Sequence, residues 1–341
     1  MFLKKLRTIS NSFIILFFFI SSSIYSQSLK KKLQTQFTSE KIVVDGKFDE
    51  ASWQKADIAK DFVMWMPDNG TPEPQTQKTE VKIVYDNNAI YIAATMYDNE
   101  PDKIQRELSQ RDDSGTVDRF GVFINGFNDG QQEFSFIISA AGVQEDFLFT
   151  ETNGEDSSWN AIWETKTKIT EFGWTAEIKI PYAALRFSGE KKQTWGINFI
   201  RDFKRARQFY SWNLIDAKIS SRGNQEGILE GIENITTPTR LFFIPYSSFY
   251  LNANDNQKTK GQLKGGMDIK YGINDAFTLD AILVPDFGQT AFDNVELNLG
   301  PFEQQFTENR PFFSEGTELF SKGDLVYSRR IGGSPSLSLD I

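Results

Sequence analysis

The side chains able to do chemistry in this chain are restricted in kind, because its 341 residues include no histidine and no cysteine. A Ser-His-Asp or Cys-His arrangement is therefore excluded, as are zinc and copper sites built on imidazole or thiolate. Any catalysis would have to use carboxylates, tyrosine, lysine or a serine–lysine pair. Any metal would be a hard cation held by oxygen, and calcium is the expected ion outside the cytoplasm.

Acidic residues cluster in predicted turns, where paired carboxylates next to loop carbonyls suit calcium. The candidate ligands are Asp98, Glu100, Asp112 and Asp113, and a further acidic cluster occupies residues 151–156. No stretch follows the EF-hand spacing, and acidic turns are also common on a solvated surface. We predict a structural calcium ion without assigning it to one cluster.

The N-terminal residues predict export. Lys4, Lys5 and Arg7 precede an apolar run at 13–20, and a serine-rich stretch follows. This pattern indicates a signal peptide at 1–26 cleaved before Gln27, because the run is shorter than the ~20 residues of a spanning helix. A retained N-terminal anchor is the alternative. The net charge of −9 makes nucleic acid and anionic lipid poor partners.

Residues 38–236 follow a linker predicted at 27–37 and show short strands separated by turns, which predicts an all-β sandwich. Trp53, Trp174 and Trp195 are predicted to fill its core, and residues 49–56 to form a short helix. The predicted strands are 80–85, 89–97, 120–125, 133–139, 163–170, 174–180 and 194–201.

Residues 237–341 have a different character. The segments 241–252, 261–273 and 276–285 alternate over longer lengths, as strands of a transmembrane barrel do. About 105 residues are too few for a closed barrel of about eight strands with loops. We therefore expect antiparallel strands of an incomplete β-barrel in a truncated chain. Additional strands of the soluble domain are the alternative.

Three ordered segments resemble a family 9 carbohydrate-binding module. They are Ile42-Val43-Val44-Asp45-Gly46-Lys47-Phe48-Asp49-Glu50-Ala51-Ser52-Trp53, Asp118-Arg119-Phe120-Gly121-Val122-Phe123-Ile124 and Gly173-Trp174-Thr175-Ala176-Glu177-Ile178-Lys179-Ile180-Pro181. The resemblance implies a jelly-roll-like β-sandwich over 38–236 that binds an oligosaccharide or polysaccharide, often with structural calcium.

Further segments resemble a group of outer-membrane proteins in which such a module precedes a β-barrel domain. They lie at 185–187, 195–201, 284–289 and 309–316. The last of them reads Asn309-Arg310-Pro311-Phe312-Phe313-Ser314-Glu315-Gly316. This resemblance implies the outer membrane or cell surface of a Gram-negative bacterium, with the periplasmic face left open, and envelope proteins as partners.

Sugar binding in such modules uses aromatic rings that lie flat against pyranose faces. The candidates are Trp65, Trp159, Trp163 and Trp212, and core packing is the other interpretation of each. Trp65 and Trp159 are favoured because they lie in turn-rich sequence, whereas tryptophans within strands normally fill cores. Arg119 is a candidate donor to sugar hydroxyls through its planar fork. An ion pair with a carboxylate is its alternative role.

The predicted function is non-catalytic carbohydrate binding by a cell-envelope protein, in support of carbohydrate catabolism. A barrel-associated structural or transport accessory without sugar binding is the alternative. Glycoside hydrolysis is less favoured. That reaction needs two carboxylates, one of which acts as an acid, and no sequence context in this chain marks a pair for these roles. The carboxylates weighed for that role are Glu133, Glu145, Glu151 and Glu177.

Overall fold

The computed structural model describes residues 30–283 apart from 114, 152–153, 158, 220, 237–239, 255–256 and 274–277, together with Ser328. The predicted signal peptide and the motifs at 284–289 and 309–316 lie outside the described residues. No helix within the described part is long and apolar enough to cross a membrane.

The described residues contain one short α-helix, α1 (Ala51–Lys55), within the predicted helical segment. Single 3-10 turns occur at Gln75–Gln77, Pro101–Lys103, Tyr182–Ala184 and Lys204–Ala206. The strands, in chain order, are β1 (Lys32–Gln34), β2 (Gln36–Phe37), β3 (Ile58–Ala59), β4 (Val63–Met66), β5 (Thr79–Tyr85), β6 (Ala89–Tyr97), β7 (Arg119–Asn125), β8 (Gln132–Ser139), β9 (Gln144–Thr150), β10 (Gly154–Asp156), β11 (Glu164–Thr170), β12 (Gly173–Pro181), β13 (Trp195–Phe203), β14 (Gln208–Ser211), β15 (Gly227–Glu230), β16 (Arg240–Asn254), β17 (Gln257–Gly272) and β18 (Thr278–Leu283).

Two sheets form the N-terminal body. The large sheet has nine strands in the order β1-β15-β13-β7-β8-β9-β10, and β14 pairs with both β13 and β4. The small sheet has six strands in the order β11-β12-β6-β5-β2, with β3 also on β5. Almost all neighbours are antiparallel; β1–β15 and β2–β5 are parallel pairs. The prediction of an all-β sandwich is confirmed.

The core lies between the two sheets because successive side chains of a strand point to opposite faces. On β8, Phe134, Phe136 and Ile138 enter the core, while Glu133 and Ser135 alternate with them and take the outer face. Rings fill much of this core, as expected for a sandwich rich in phenylalanine. The predicted structural role of Trp53, Trp174 and Trp195 is confirmed, since each is at most 1% exposed.

A buried arginine joins the two sheets at one end of the sandwich. Arg201 of β13 is 1% exposed, and its guanidinium donates to the carbonyl oxygens of Gln77 at 2.5 Å and Tyr97 at 2.8 Å. Asp118 and Glu73 supply negative charge nearby. Because a guanidinium has five fixed donors, one side chain can satisfy several buried carbonyls of the small sheet.

The sandwich begins earlier in the chain than predicted. Residues 32–37 of the predicted linker form β1 and β2, which pair with β15 and β5. Leu33 is 3% exposed in the core, and the Thr35 hydroxyl donates to the Ile83 carbonyl at 2.9 Å. The linker assignment at 27–37 is therefore corrected over these residues. One buried leucine in a polar stretch gave too weak an alternation to be recognised as a strand.

Strands β16, β17 and β18 form a separate antiparallel sheet, the C-terminal sheet. Its register places apolar residues opposite one another, as with Phe243 and Ile269, or Phe249 and Leu263. Many of these side chains are exposed, Leu263 to 75%. The predicted long antiparallel strands are thus present, and no closed barrel occurs among the described residues. The incomplete barrel stays a prediction.

Candidate functional site

A groove of about 200 Å³ crosses the outer face of the large sheet. Its floor is apolar and consists of Gly121 and Phe123 on β7, Ile137 on β8 and Ile200 on β13. These residues alternate with the core positions of the same strands, so they belong to the opposite face. Gly121 contributes no side chain to this floor, and the side chains of Ile137, Phe123 and Ile200 surround its Cα.

The walls of the groove come from both ends of the sheet. Trp65 and Met66 of β4 and Phe209 of β14 line one side, and Phe147 of β9 and Glu155 of β10 line the other. In a flat sheet, the six strand spacings from β4 to β10 would span about 29 Å. The sheet must therefore curl to bring both ends to one groove.

A β-bulge contributes to this curl. The register between β14 and β4 shifts at Phe209 and Tyr210. A bulge bends its strand and increases the local twist. Phe209 faces the groove and Tyr210, the next residue, is 1% exposed in the core, as alternation along a strand requires.

A charged cluster closes one end of the groove. Arg119 donates to Asp202 Oδ2 from Nε at 3.2 Å and from Nη2 at 3.0 Å, and to Glu145 Oε2 from Nη1 at 3.1 Å. Lys204 Nζ also lies 3.2 Å from Asp202 Oδ2. Asp202 is only 3% exposed, so these cations offset the cost of burying its charge. The ion pair weighed as an alternative for Arg119 is present.

A second arginine reaches the groove from the segment before β15. Arg222 donates to Glu133 Oε1 at 2.8 Å and to Glu155 Oε1 at 3.0 Å. Its guanidinium carbon lies 3.9 Å from the ring centre of Phe149 and 5.0 Å from that of Phe123. Such cation–π contacts fix the guanidinium plane over the aromatic floor.

The structure brings two of the five predicted sugar-binding residues together, because Trp65 and Arg119 both line the groove. Trp163 and Trp212 are 5% and 3% exposed. Trp163 Nε1 donates to Asp146 Oδ2 at 3.1 Å, and Trp212 packs its ring against Phe199. A sugar cannot stack on rings covered in this way, so these two assignments are corrected to core roles.

Trp159 lies outside the groove. Its ring is half-buried and packs against Phe134 and Phe136, with centroid distances of 5.2 and 5.9 Å. Both phenylalanines belong to the main core. The turn-rich sequence around Trp159 predicted an accessible ring, but the ring covers the open side of that core instead.

The carboxylates considered for glycoside hydrolysis are dispersed. Glu145 pairs with Arg119, and Glu133 is buried beneath Arg222. Glu151 Oε1 accepts from the Gly223 amide at 2.9 Å. Glu177 lies on the small sheet and accepts from the Asp45 and Gly46 amides, both at 2.9 Å. Burial raises the pKa of Glu177 to about 7, but the role of this carboxyl is to hold a backbone turn.

The candidate calcium ligands mostly have other partners. Asp98 receives two hydrogen bonds from Arg205, at 2.7 and 3.0 Å, and Glu100 pairs with Lys103. Asp112 Oδ1 accepts from the Asp146 amide at 3.1 Å. Within the part of the chain that the structure describes, no group of three or more acidic side chains is placed to hold a metal. The structural calcium stays a prediction.

Two stretches of the chain match known families. Residues 44–212 match the sequence profile of the family described as "Carbohydrate family 9 binding domain-like". We call this stretch, which is similar to that family, the CBM9-like domain. Residues 237–340 match the profile of a "Domain of unknown function (DUF5916)", which coincides with the region of the C-terminal sheet. No curated protein matches the chain significantly.

Several solved structures are similar to part of this chain. A family 9 carbohydrate-binding module from Caldicellulosiruptor kristjanssonii, in complex with cellotriose, is 15% identical with a TM-score of 0.43, covering 60% of this chain and 95% of that one. The same module in complex with glucose is 15% identical with a TM-score of 0.43, covering 61% of this chain and 100% of that one. A protein from Bacteroides uniformis is 12% identical with a TM-score of 0.48, covering 60% of this chain and 100% of that one. Likenesses at this level carry no functional information.

Several groove residues of the CBM9-like domain were missed by sequence reasoning. Asp202 lies directly across from Arg119 in the β7–β13 register, and Gly121 lies across from Ile200. Arg119 and Asp202 lie just beyond the predicted strands 120–125 and 194–201, and the pairing of those strands was needed to show that these residues are neighbours. Arg222 lies outside every predicted strand, and no local signal in the sequence indicates its position.

Proposed function

We propose that the groove of the CBM9-like domain binds carbohydrate without catalysing a reaction. The observation that supports this is the presence of a half-buried tryptophan, an apolar floor and two arginines in one groove. A pyranose has an apolar C–H face and a rim of hydroxyls, so it needs both a ring and fixed polar groups. The match of residues 44–212 to a carbohydrate-binding family is in keeping with this chemistry.

Trp65 is the proposed stacking ring. It is the tryptophan that lines the groove, and its strand is anchored because Asn69 Nδ2 donates to the Trp65 carbonyl at 2.9 Å and to the Ile215 carbonyl at 2.7 Å. A ring held in place before binding loses little conformational entropy on binding. Arg119 and Glu145 would then meet hydroxyls at the charged end of the groove.

The experiment that tests this proposal is a glycan-array screen of the full chain, with and without added calcium, followed by calorimetry on the best ligand. Trp65→Ala is expected to weaken binding at least about tenfold, or about 1.4 kcal/mol, because the stacking surface is removed. Trp159→Ala is the matched control, since it removes an indole outside the groove. It is expected to lower thermal stability and leave the affinity unchanged.

If no glycan on the array binds, the proposal is contradicted. That result would favour the alternative, a structural or transport accessory of the cell envelope. The specific observation behind that alternative is the exposed apolar face of the C-terminal sheet. We propose, for either function, an exported protein at the outer membrane or cell surface of a Gram-negative bacterium. Cell fractionation tests this, and recovery of the full chain in the cytoplasm would contradict it.

A further inference from the structure

A segment without regular structure covers part of the outer face of the large sheet. We call residues 213–219 and 221–226 the strap. Its first amide, of Asn213, donates to Asn198 Oδ1 at 2.9 Å, and its Ile215 joins the apolar cluster of the groove floor. Near its end, the Gly223 amide and the Ser221 hydroxyl both donate to Glu151 Oε1 at 2.9 Å. The strap therefore holds Arg222 in the groove wall.

Two carboxyls are buried where the strap meets the sheet. Glu226 ends the strap and is 2% exposed, and Glu133 of β8 is 1% exposed. Glu226 lies directly over Gly196, where its carboxyl leaves no room for a side chain. Glu133 Oε2 and Glu226 Oε1 are buried and have no hydrogen-bond partner among the described residues. Two ionised carboxylates cannot occupy such a site at low cost.

Two cations lie near this pair, and one of them, Arg222, is shared with a third carboxylate, that of Glu155. Arg222 faces Glu133 from the strap, and Lys30 faces Glu226 from the N-terminal segment. Burial, and then the negative charge of Glu133, raise the pKa of Glu226 to about 9. Burial also raises the pKa of Glu133, whose Oε1 accepts from Arg222 at 2.8 Å. With the pKa of Glu226 at about 9, the buried pair holds a proton at neutral pH.

We propose that Glu133 and Glu226 form a proton-dependent latch, which holds the strap on the large sheet and thereby keeps Arg222 in the groove. When this proton is lost, two buried anions face one another and the strap opens. Opening exposes Glu226 to water and separates it from Glu133. The effect of the latch on sugar binding rests on the proposed function, whereas the latch itself does not.

Hydrogen exchange on the full chain tests the latch without any ligand. Opening releases the proton of Glu226, so the open population should rise about tenfold per pH unit between pH 6 and 8 and level off above pH 9. The exchange rates of the Asn213 and Gly223 amides report this open population, after correction for the intrinsic pH dependence of exchange. Amides of the β6–β12 pairing serve as the internal control. Protection of the strap that does not change with pH would overturn the proposal.

Glu226→Gln is the matched variant, because it keeps the shape of the side chain and cannot ionise. Its strap protection should be independent of pH, and a slope equal to that of the parent would overturn the proposal. A carbon-13 titration of the glutamate carboxyls in the unaltered chain needs no variant. One carboxyl titrating near pH 9 supports the latch, and the titration of every glutamate below pH 7 contradicts it.

Sugar binding supplies a separate test of the regulatory consequence. With the best glycan from the array, affinity should be at least about threefold weaker at pH 9.5 than at pH 7 in the parent, and equal in Glu226→Gln. Equal affinities in the parent would overturn the link between the latch and the groove. If no glycan binds at any pH, the proposed function fails, while the exchange experiment still decides the latch.

Discussion

Filling the floor of the groove is the perturbation that separates binding from folding most cleanly. Gly121 has no positive φ, so its backbone accepts other residues. A Cβ at this position would lie 3.3 Å from Ile137 Cγ1, 3.5 Å from the Phe123 ring and 3.8 Å from Ile200 Cβ. Only the first contact is tight, and Ile137 can shift slightly. In Gly121→Leu, the rest of the new side chain must extend into the groove.

The expected magnitudes follow from the size of the groove. A leucine side chain takes up much of a space of about 200 Å³, so a sugar ring can no longer rest on the floor. Affinity should fall at least about tenfold, or about 1.4 kcal/mol. Crowding costs about 1–3 kcal/mol, and burying the leucine side chain contributes a similar amount in the opposite direction. The melting temperature should therefore shift by only about 3 °C.

Calorimetry with the best glycan and a thermal melt of the same sample provide the assay. Gly189→Leu is the matched control, because Gly189 is exposed and a Cβ there would meet nothing within 4 Å. It should change neither quantity. Unchanged affinity in a folded Gly121→Leu protein would refute the placement of the ligand in this groove.

Two further predictions concern the scaffold. Arg201→Met should lower the free energy of unfolding by about 3 kcal/mol in urea titrations, because the carbonyls of Gln77 and Tyr97 lose their donor. A loss below about 1 kcal/mol would contradict the role of Arg201. The pKa of Glu177, raised by burial to about 7, means that ionisation is disfavoured in the folded state. Stability should therefore fall by up to about 1.4 kcal/mol per unit as the pH rises from about 4.5 to 7. Glu177→Gln should reduce this fall, and an identical pH profile in that variant would contradict the assignment.

The sheets could be predicted because their strands alternate strongly. The run from Phe134 to Ile138 places a large apolar side chain at every second position, and the structure buries each of them. Trp174 and Trp195 could be placed in the core because tryptophans within strands normally fill cores. It failed where the alternation was short or polar, as at Leu33, whose burial depends on parallel pairing with a strand almost 200 residues away.

The candidate site was less accessible to sequence reasoning because it is formed by curvature. Trp65 was identified from its turn-rich context, but the same criterion also selected Trp159, which packs on the core. A local sequence cannot indicate which loop ring remains available, because that depends on how far the large sheet curls. The position of Arg222 depends in addition on the path of the strap, which has no periodic pattern.

Hydroxyl-radical footprinting of the full chain with and without the best glycan tests the central claim most directly. Trp65, Met66 and Phe209 line the groove, and Met66 is 41% exposed in the free protein. Oxidation of these three residues should fall when the glycan binds. Leu108 and Ile162, which are 83% and 63% exposed and are not part of the groove, should react equally in both states. Protection at these two positions with none at Trp65 would contradict a sugar-binding groove on the large sheet.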